Sequence, residues 1–348
     1  MKTRDELLQS IATTIQDYRE SEVARPTPVH VDRWVRQFSA SVQLQLLSEL
    51  DHVLDKTYFS KETVAGFFDH QITHHELVKA NPCDSWKNVN FLDIQQRGSS
   101  QKEILTLFQQ SLMRHCNLAI DACGSDAGPF FYLDDVLFSG GHIGSDLKKW
   151  IEESAPQSAK VHVLVIGTHH LGEWQCKNGL VEAAAKAGKK ISFSIWAALR
   201  LENRLKYRDT SEVLWPSSVP NDQTLANYMA QLKKFPFKPR TAGGTLQYPV
   251  FTGEPGRQVL ERELLLAGAR IRAGCQDPKI SMRPLGYSPF GLGFGSTIVT
   301  YRNCPNNCPL ALWWGDATAT SGAMHWYPLL PRKTNAQSNP FADFEFEL

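Results

Sequence analysis

The sequence predicts an α/β protein: a doubly wound parallel sheet with an N-terminal helical segment and an α+β C-terminal extension. Between residues 88 and 196, apolar runs alternate with amphipathic stretches, which is the βαβ rhythm of a parallel sheet. Residues 1 to about 80 instead carry apolar side chains at helical spacing. The last third combines a Leu-rich helix, a Gly-rich aromatic loop and a short strand. We therefore expect three segments, 1–80, 81–240 and 241–348.

Composition narrows the class of protein. The chain has 348 residues and a net charge of +1, which implies no bulk attraction to nucleic acid or to a membrane surface. No apolar run approaches the roughly 20 residues that span a bilayer, and the first residues lack the apolar core of a signal peptide. Seven scattered cysteines favour reduced thiols over a disulfide framework. We therefore expect a cytoplasmic protein with no membrane partner.

The N-terminal segment predicts three amphipathic helices. Apolar residues recur every three or four positions in each, and large apolar side chains at this spacing are most often core. Prolines at 26 and 28 separate the first helix from the second. The apolar faces are formed by Leu7, Leu8, Ile11, Ile15 and Tyr18, then Val31, Trp34, Val35 and Phe38, then Leu44, Leu46, Leu47, Leu50, Val53 and Leu54.

The first strand of the sheet is predicted at residues 88–94, and a small, basic turn follows it. A helix begins after this turn, and small residues at a helix start offer backbone N–H groups to an anion. A plain N-cap turn is the alternative interpretation. The residues of the turn are Arg97, Gly98, Ser99 and Lys102. The next strand is predicted at residues 117–121.

The most informative stretch is an apolar run, residues 130–133, that leads into Asp134 and Asp135 and then into a Gly-containing loop. It predicts a buried strand that ends near two carboxylates at the carboxyl edge of the sheet, where open α/β folds bind ligands. A helix is predicted from residue 144, with Ser145 or Asp146 as its N-cap. The loop Ser139–Gly141 is an anion cradle at that helix start.

A ribose 5-phosphate group suits both parts, because its hydroxyls match the carboxylates and its phosphate matches the loop. Three alternatives stay open: two capping acids on an ordinary turn, a metal-dependent hydrolase that uses the acid pair, and another phosphate chemistry. A P-loop ATPase is disfavoured, since it needs a Gly-Lys-Ser or Gly-Lys-Thr sequence and the chain has neither.

Two further strands are predicted at residues 161–167 and 191–196, with an Ala-rich helix between them that ends at Gly188. The first of these strands leads into Thr168, His169 and His170. Parallel order places that turn at the same edge as the acid pair, so these side chains are candidates to line the pocket. Histidine is also the side chain most easily tuned for proton transfer near neutral pH.

The acidic stretch resembles the phosphoribosyl-diphosphate (PRPP) motif of type I phosphoribosyltransferases, which places the sheet in that type of fold. The resemblance implies that Asp134 and Asp135 are catalytic and hold the ribose hydroxyls, partly through Mg²⁺ bound with the ligand diphosphate. It implies that PRPP or a nucleotide is the ligand. The implied substrate-binding residues are Phe138, Ser139, Gly140, Gly141 and His142 at the 5′-phosphate, Arg97, Gly98, Ser99 and Lys102 at the diphosphate, and Thr168 beside them.

Two features depart from that family. The loop ends with His142 where the family usually has Thr or Ser, so one hydroxyl ligand is missing. Residues 122–129 leave no room for the long mobile hairpin that commonly closes over the substrate. Both departures favour a second hypothesis, a non-catalytic nucleotide sensor that gates a partner protein.

Over most of its length the chain is similar to phosphoribosyltransferase-like proteins of bacterial conflict systems. The resemblance lies in residues 34–38, 133–141 and 306–332. It implies an antiphage effector of the retron type that acts by N-glycosidic chemistry on a nucleotide or sugar phosphate. It further implies a reverse transcriptase or another defence-operon protein as partner.

Overall fold

The computed structural model describes residues 2–78, 81–96, 98–232, 236–289 and 291–332. Helices dominate the described chain. In chain order they are α1 (Arg4–Thr14), α2 (Pro28–Val35), α3 (Gln43–Thr57), α4 (Lys61–Thr73), α5 (Pro82–Lys87), α6 (Ser100–Cys116), α7 (Gly141–Glu153), α8 (His170–Lys186), α9 (Gln223–Ala230), α10 (Glu254–Ala273) and α11 (Leu310–Trp313). The strands are β1 (Tyr58–Phe59), β2 (Asn90–Leu92), β3 (Phe130–Leu137), β4 (Ser158–His169), β5 (Lys190–Leu201) and β6 (Val299–Thr300).

The chain divides into two compact units. One joins Met1–Tyr58 to Val213–Leu348, and the other is Phe59–Glu212. The first unit thus combines residues from both ends of the chain, whereas the sequence suggested three consecutive segments, 1–80, 81–240 and 241–348. The boundaries of the two compact units therefore differ from those of the three predicted segments.

The unit Phe59–Glu212 is built on a four-stranded parallel sheet with the order β2-β3-β4-β5. Each strand pairs with its neighbour in the chain: Asn90 lies opposite Phe130, Phe130 opposite Val161, and Val161 opposite Phe193. The predicted parallel α/β class is confirmed. The strands β4 and β5 are longer than predicted: β4 stays buried without interruption from Val163 to His169, while buried residues alternate along β5 as far as Leu201.

Helices cover both faces of this sheet. On one face, α7 and α8 bury a core that includes Leu147, Trp150 and Leu180 against the valines of β4. On the other face, Phe108 of α6 packs edge-on against Trp86, with ring centroids 5.1 Å apart. Both faces of each central strand are therefore apolar, which explains why the strands read as continuous apolar runs in the sequence.

Two predictions in this unit are wrong. Residues 117–121, all described, form no strand: α6 ends at Cys116, and its C-cap Asn117, with a φ of 51°, turns the chain toward a 3-10 helix at Ile120–Ala122. Asparagine tolerates this left-handed conformation, so it can end a helix as glycine does. Reduced thiols were also expected, but Cys83 and Cys116 form a disulfide that ties α5 to the end of α6.

The other unit contains the predicted N-terminal helices. Their apolar faces are buried, as predicted, except that Leu44 is exposed. Two tryptophans, one near each end of the chain, share an acceptor inside this unit: the indole N–H groups of Trp34 and Trp326 both donate to the Ala311 carbonyl, at 2.8 Å each. These bonds join the N-terminal helices to the last third of the chain. Among the described residues, no helix is long and apolar enough to cross a membrane.

Candidate functional site

The candidate site lies at a step in the parallel sheet. Strand β2 ends at Leu92, which lies opposite Tyr132, while β3 continues from Leu133 to Leu137. On that side, the last residues of β3 have no strand partner in the described part of the chain. Asp134 and Asp135 both lie in this uncovered stretch. The acid pair therefore lies beyond the end of the neighbouring strand β2.

The two acids lie on opposite faces of β3, because successive side chains of a strand alternate. Asp134 is only 4% exposed and shares the face of Tyr132, whereas Asp135 is half-buried on the other face. Each carboxylate accepts a hydrogen bond from the next backbone N–H, from Asp135 at 2.9 Å and from Val136 at 2.7 Å. Asp135 is thus the more accessible of the two predicted catalytic acids.

The predicted phosphate loop follows β3 directly. Gly140 adopts a left-handed φ of 80° and is the N-cap of α7, which begins at Gly141. The predicted N-caps Ser145 and Asp146 are wrong, because the Gly144 N–H already donates to the Gly140 carbonyl at 2.9 Å. The predicted loop residues therefore lie at the start of a 13-residue helix, and the Gly141 N–H donates to the Ser139 hydroxyl at 3.5 Å.

Tight packing holds this loop against the first turns of α8. A β-carbon on Gly140 would lie 2.7 Å from the β-carbon of Cys176, so only glycine fits. The Phe138 ring stacks on the His169 ring, with centroids 5.3 Å apart. In contrast, a β-carbon on Gly141 would meet only the Ser139 hydroxyl, at 3.6 Å. The loop backbone is therefore set by packing at Gly140, while Gly141 and His142 are exposed.

The predicted diphosphate loop follows β2 and leads into α6. Ser99 is the N-cap of α6, and Gly98 has a φ of 90°. Both residues are exposed, as is Lys102, and Arg97 lies outside the described residues. Lys102 also borders a groove of about 380 Å³ beside the end of β2, whose lining is Phe91, Asp93, Lys102, Leu105, Thr106, Gln109 and Ile120.

Gln101 organises the backbone of this first loop. Its side chain is fully buried, and its carbonyl oxygen accepts hydrogen bonds from the N–H groups of Ile94 and Gln95, at 2.8 Å each. The Gln95 side chain returns a bond by accepting from the Gln101 N–H at 3.1 Å. Sequence reasoning missed this pair, because glutamine carries no strong signal for structure or chemistry.

Asp146 joins the two loops. Its carboxylate accepts from the Tyr132 hydroxyl at 2.8 Å and from the Gln96 backbone N–H at 3.3 Å. Both loops therefore lie at the same edge of the sheet, as the sequence predicted. Desolvation raises the pKa of Tyr132, and the neighbouring Asp134 and Asp146 carboxylates add to this increase, so the phenol stays a donor.

The edge of β4 contributes buried rather than exposed groups. Thr168 lies opposite Leu137, is fully buried, and its hydroxyl has no hydrogen-bond partner among the residues that the structure describes. His169 is also fully buried, and desolvation lowers its pKa to about 3. A neutral, buried imidazole does not exchange protons near pH 7, so His169 serves packing rather than acid–base chemistry.

The end of β5 adds residues that sequence reasoning missed. The Asn203 side-chain oxygen accepts from the Leu171 N–H at 2.9 Å, in the first turn of α8. Glu202 binds the Arg204 guanidinium. The sequence prediction ended this strand at Trp196, so these residues seemed remote from the sheet edge. The alternating pattern through Ala197 to Leu201 was the available signal.

The acid pair supplies oxygen ligands of the kind Mg²⁺ prefers. In the described ranges, no group of three or more His, Cys, Asp and Glu side chains is placed to hold a metal ion. The Mg²⁺ site predicted at Asp134 and Asp135, with further ligands from a bound diphosphate, stays a prediction.

Comparison with known proteins gives one match. The model of a family described as PRTase-CE matches residues 31–332, a range that includes every predicted site residue. Neither the curated proteins nor the solved structures contain a match.

Proposed function

We propose a ligand for this chain on the basis of its family: the match over residues 31–332 shows that it belongs to the PRTase-CE family, so it is a phosphoribosyltransferase-like protein. The proposed ligand is PRPP or a nucleotide 5′-phosphate, bound at the step in the sheet. The observation that carries the proposal is the position of Asp135: a half-buried carboxylate in the uncovered end of β3, followed directly by a loop at a helix start. An acid followed directly by a loop at a helix start supports a ribose 5-phosphate ligand.

The 5′-phosphate binds at the start of α7, where the N–H groups of Gly141 and His142 and the helix dipole favour an anion. Asp135 accepts hydrogen bonds from the ribose hydroxyls, and the more buried Asp134 supports it from the other face of the strand. Ser139 adds a hydroxyl beside the loop. His142 takes the position of the missing Thr or Ser and offers a ring N–H in its place.

The chemistry that we propose is N-glycosidic. In the forward direction a ring nitrogen of a base attacks C1 of the ribose, the C–N bond forms, and the C–O bond to diphosphate breaks with its electron pair leaving on oxygen. The base loses its nitrogen proton to solvent. Gly98, Ser99 and Lys102, together with Arg97, stabilise the charge on the departing diphosphate. Asp134 and Asp135 would hold Mg²⁺ together with the ligand, and the ion would neutralise phosphate charge.

The test is a thermal-unfolding titration with PRPP, ribose 5-phosphate and nucleoside monophosphates, with and without Mg²⁺. A ligand at 100 times its dissociation constant stabilises the protein by about 2.7 kcal/mol. We expect Asp135→Asn to lose this stabilisation, and the matched variant Asp126→Asn, at an exposed acid in the connection before β3, to keep it. No stabilisation by any of these ligands, or equal stabilisation of both variants, would contradict the proposal.

A non-catalytic nucleotide sensor is the second candidate. The connection from α6 to β3, residues 117–129, holds one three-residue 3-10 helix, and a short connection of this kind offers no hairpin to close over a substrate. A sensor binds the same ligands and forms no product. Product analysis after long incubation with PRPP and a mixture of bases separates the two candidates, because any turnover that Asp135→Asn abolishes excludes the sensor.

The resemblance to proteins of bacterial conflict systems extends the proposal to the cell. We propose that the protein acts in the cytoplasm as an antiphage effector, with a retron-type reverse transcriptase or another defence-operon protein as its partner. Phage plating on cells that carry the native operon is the test. Wild type should lower plating efficiency and Asp135→Asn should restore it, whereas equal protection by both variants would refute a role for the pocket.

A further inference from the structure

Asp146 is a buried carboxylate that connects the two loops of the proposed site. It is 5% exposed and follows the phosphate loop by about one turn of α7. Its two hydrogen-bond donors are the Tyr132 hydroxyl in β3 and the Gln96 backbone N–H in the first loop. Gln96 directly precedes the predicted diphosphate-binding residues. One side chain on the phosphate-loop helix therefore contacts the backbone of the diphosphate loop directly.

Packing alone does not call for an acid at this position. Helix α7 meets the sheet through apolar side chains such as Ile143, Leu147 and Trp150, and another apolar residue would cover the same surface. No ion pair in the described part of the chain includes Asp146, and its two hydrogen-bond donors there, Tyr132 and Gln96, are neutral. What distinguishes a carboxylate here is its capacity to accept from β3 and from the loop at the same time.

We propose that Asp146 is the positioning residue that fixes the spacing between the diphosphate loop and the phosphate loop, so that the site selects ligands with phosphoryl groups at both ends. This inference rests on the proposed function. A ligand with a single phosphate, such as ribose 5-phosphate, uses the phosphate loop alone and gains nothing from the spacing. PRPP bridges both loops, and it gains the second set of contacts only if the loops are already held at the matching distance.

The experiment compares dissociation constants of PRPP and ribose 5-phosphate, measured by calorimetry in the presence of Mg²⁺. The variant Asp146→Leu removes both acceptor oxygens, so the Gln96 N–H loses its partner. We expect the preference for PRPP over ribose 5-phosphate to fall about tenfold in Asp146→Leu. The affinity for ribose 5-phosphate itself should stay within about twofold of wild type, since the phosphate loop does not depend on the Gln96 contact.

Tyr132→Phe is the matched control, because it removes one donor to Asp146 and leaves the loop contact in place. It should keep the wild-type preference. If Asp146→Leu fails to fold, Gln96→Pro removes the same loop donor from an exposed position and should reproduce the loss of preference.

The outcomes separate this inference from the proposed function. Equal weakening of both ligands in Asp146→Leu would mean a purely structural role and would overturn the inference, as would an unchanged preference in that variant or a loss in Tyr132→Phe. Binding of neither ligand by the wild-type protein would instead overturn the proposed function, and the inference with it.

Discussion

The carbonyl oxygen of Phe138 lies against Gly172 so closely that a β-carbon on Gly172 would be 1.8 Å from it. This contact seats the predicted phosphate loop on the first turn of α8. The loop therefore has its position from a neighbouring helix, and substitutions in that helix should affect it.

Gly172→Ala should lower the free energy of unfolding by about 2–3 kcal/mol, because backbone atoms that cannot move aside meet the new methyl group. Gly179→Ala in the same helix is the control. Its β-carbon would meet only the flexible end of the Lys148 side chain, at 3.2 Å, so alanine's helix propensity should leave the stability unchanged or raise it by up to about 1 kcal/mol. Urea denaturation measures both, and equal destabilisation would argue against the packing described here.

Gln101→Leu should destabilise the protein by about 2 kcal/mol, since the N–H groups of Ile94 and Gln95 lose their shared acceptor. Gln101→Glu keeps an acceptor at a helix start, where a negative charge is favoured, and should cost less than about 1 kcal/mol at neutral pH. Hydrogen exchange at residues 94 and 95 reports the loop directly. Protection that survives in Gln101→Leu would show that another group holds these amides.

The buried His169 should make the protein less stable in acid. Its pKa is lowered to about 3 by desolvation, against about 6.5 in an unfolded chain. Between these values the unfolded state binds more protons than the folded state. Stability therefore rises with pH across this window and is lost as the pH falls below about 6.5. At pH 5.5 the loss from this residue is about 1.4 kcal/mol.

Denaturation of wild type and His169→Gln at pH 7.5 and pH 5.5 isolates that effect, because the variant has no imidazole at this position. Burial also lowers the pKa of His30 and His162, so both proteins should lose some stability in acid. Wild type should lose more. Identical losses would mean that the ring is protonated in the folded state or exposed to solvent.

Cys83→Ser should lower the free energy of unfolding by about 3 kcal/mol, because the disulfide to Cys116 closes a long loop in the unfolded chain. A reductant should reproduce this loss in wild type and have no further effect on the variant. Cys123→Ser, at a free cysteine, is the control and should behave as wild type. Insensitivity of wild type to reductant would show that the bond does not form in solution.

The sequence predicted the elements whose signals are local. The valines of β4 and the apolar start of β3 mark buried strands, and Gly188 correctly marks the end of α8, which stops at Lys186 before a φ of 69°. The false strand at 117–121 shows the limit of such signals. A short apolar run after a helix fits a strand or a 3-10 turn, and the conformation of Asn117 decides between them.

The candidate site was predicted in outline and not in its connections. Asp134, Asp135 and the glycine loop follow from one continuous motif. The bonds from Asp146 to Tyr132 and Gln96 join residues 14 and 50 positions apart, and no periodicity in the sequence encodes them. Asp146 resembled an N-cap because a polar residue near a predicted helix start is usually one. In the structure, Gly140 is the N-cap through its left-handed conformation, so helix α7 begins earlier in the chain, at Gly141.

The two units also differ in when they can form during synthesis. Each strand of the parallel sheet pairs with the strand just made, so the unit Phe59–Glu212 can assemble stepwise as it leaves the ribosome. The other unit joins Met1–Tyr58 to the residues from Val213 onward, so its first helices cannot complete their packing until those later residues have been synthesised. Nascent chains stalled soon after residue 212 has emerged should protect the sheet from protease but not the first helices. The newborn protein therefore acquires its proposed ligand site before its N-terminal helices find their partners.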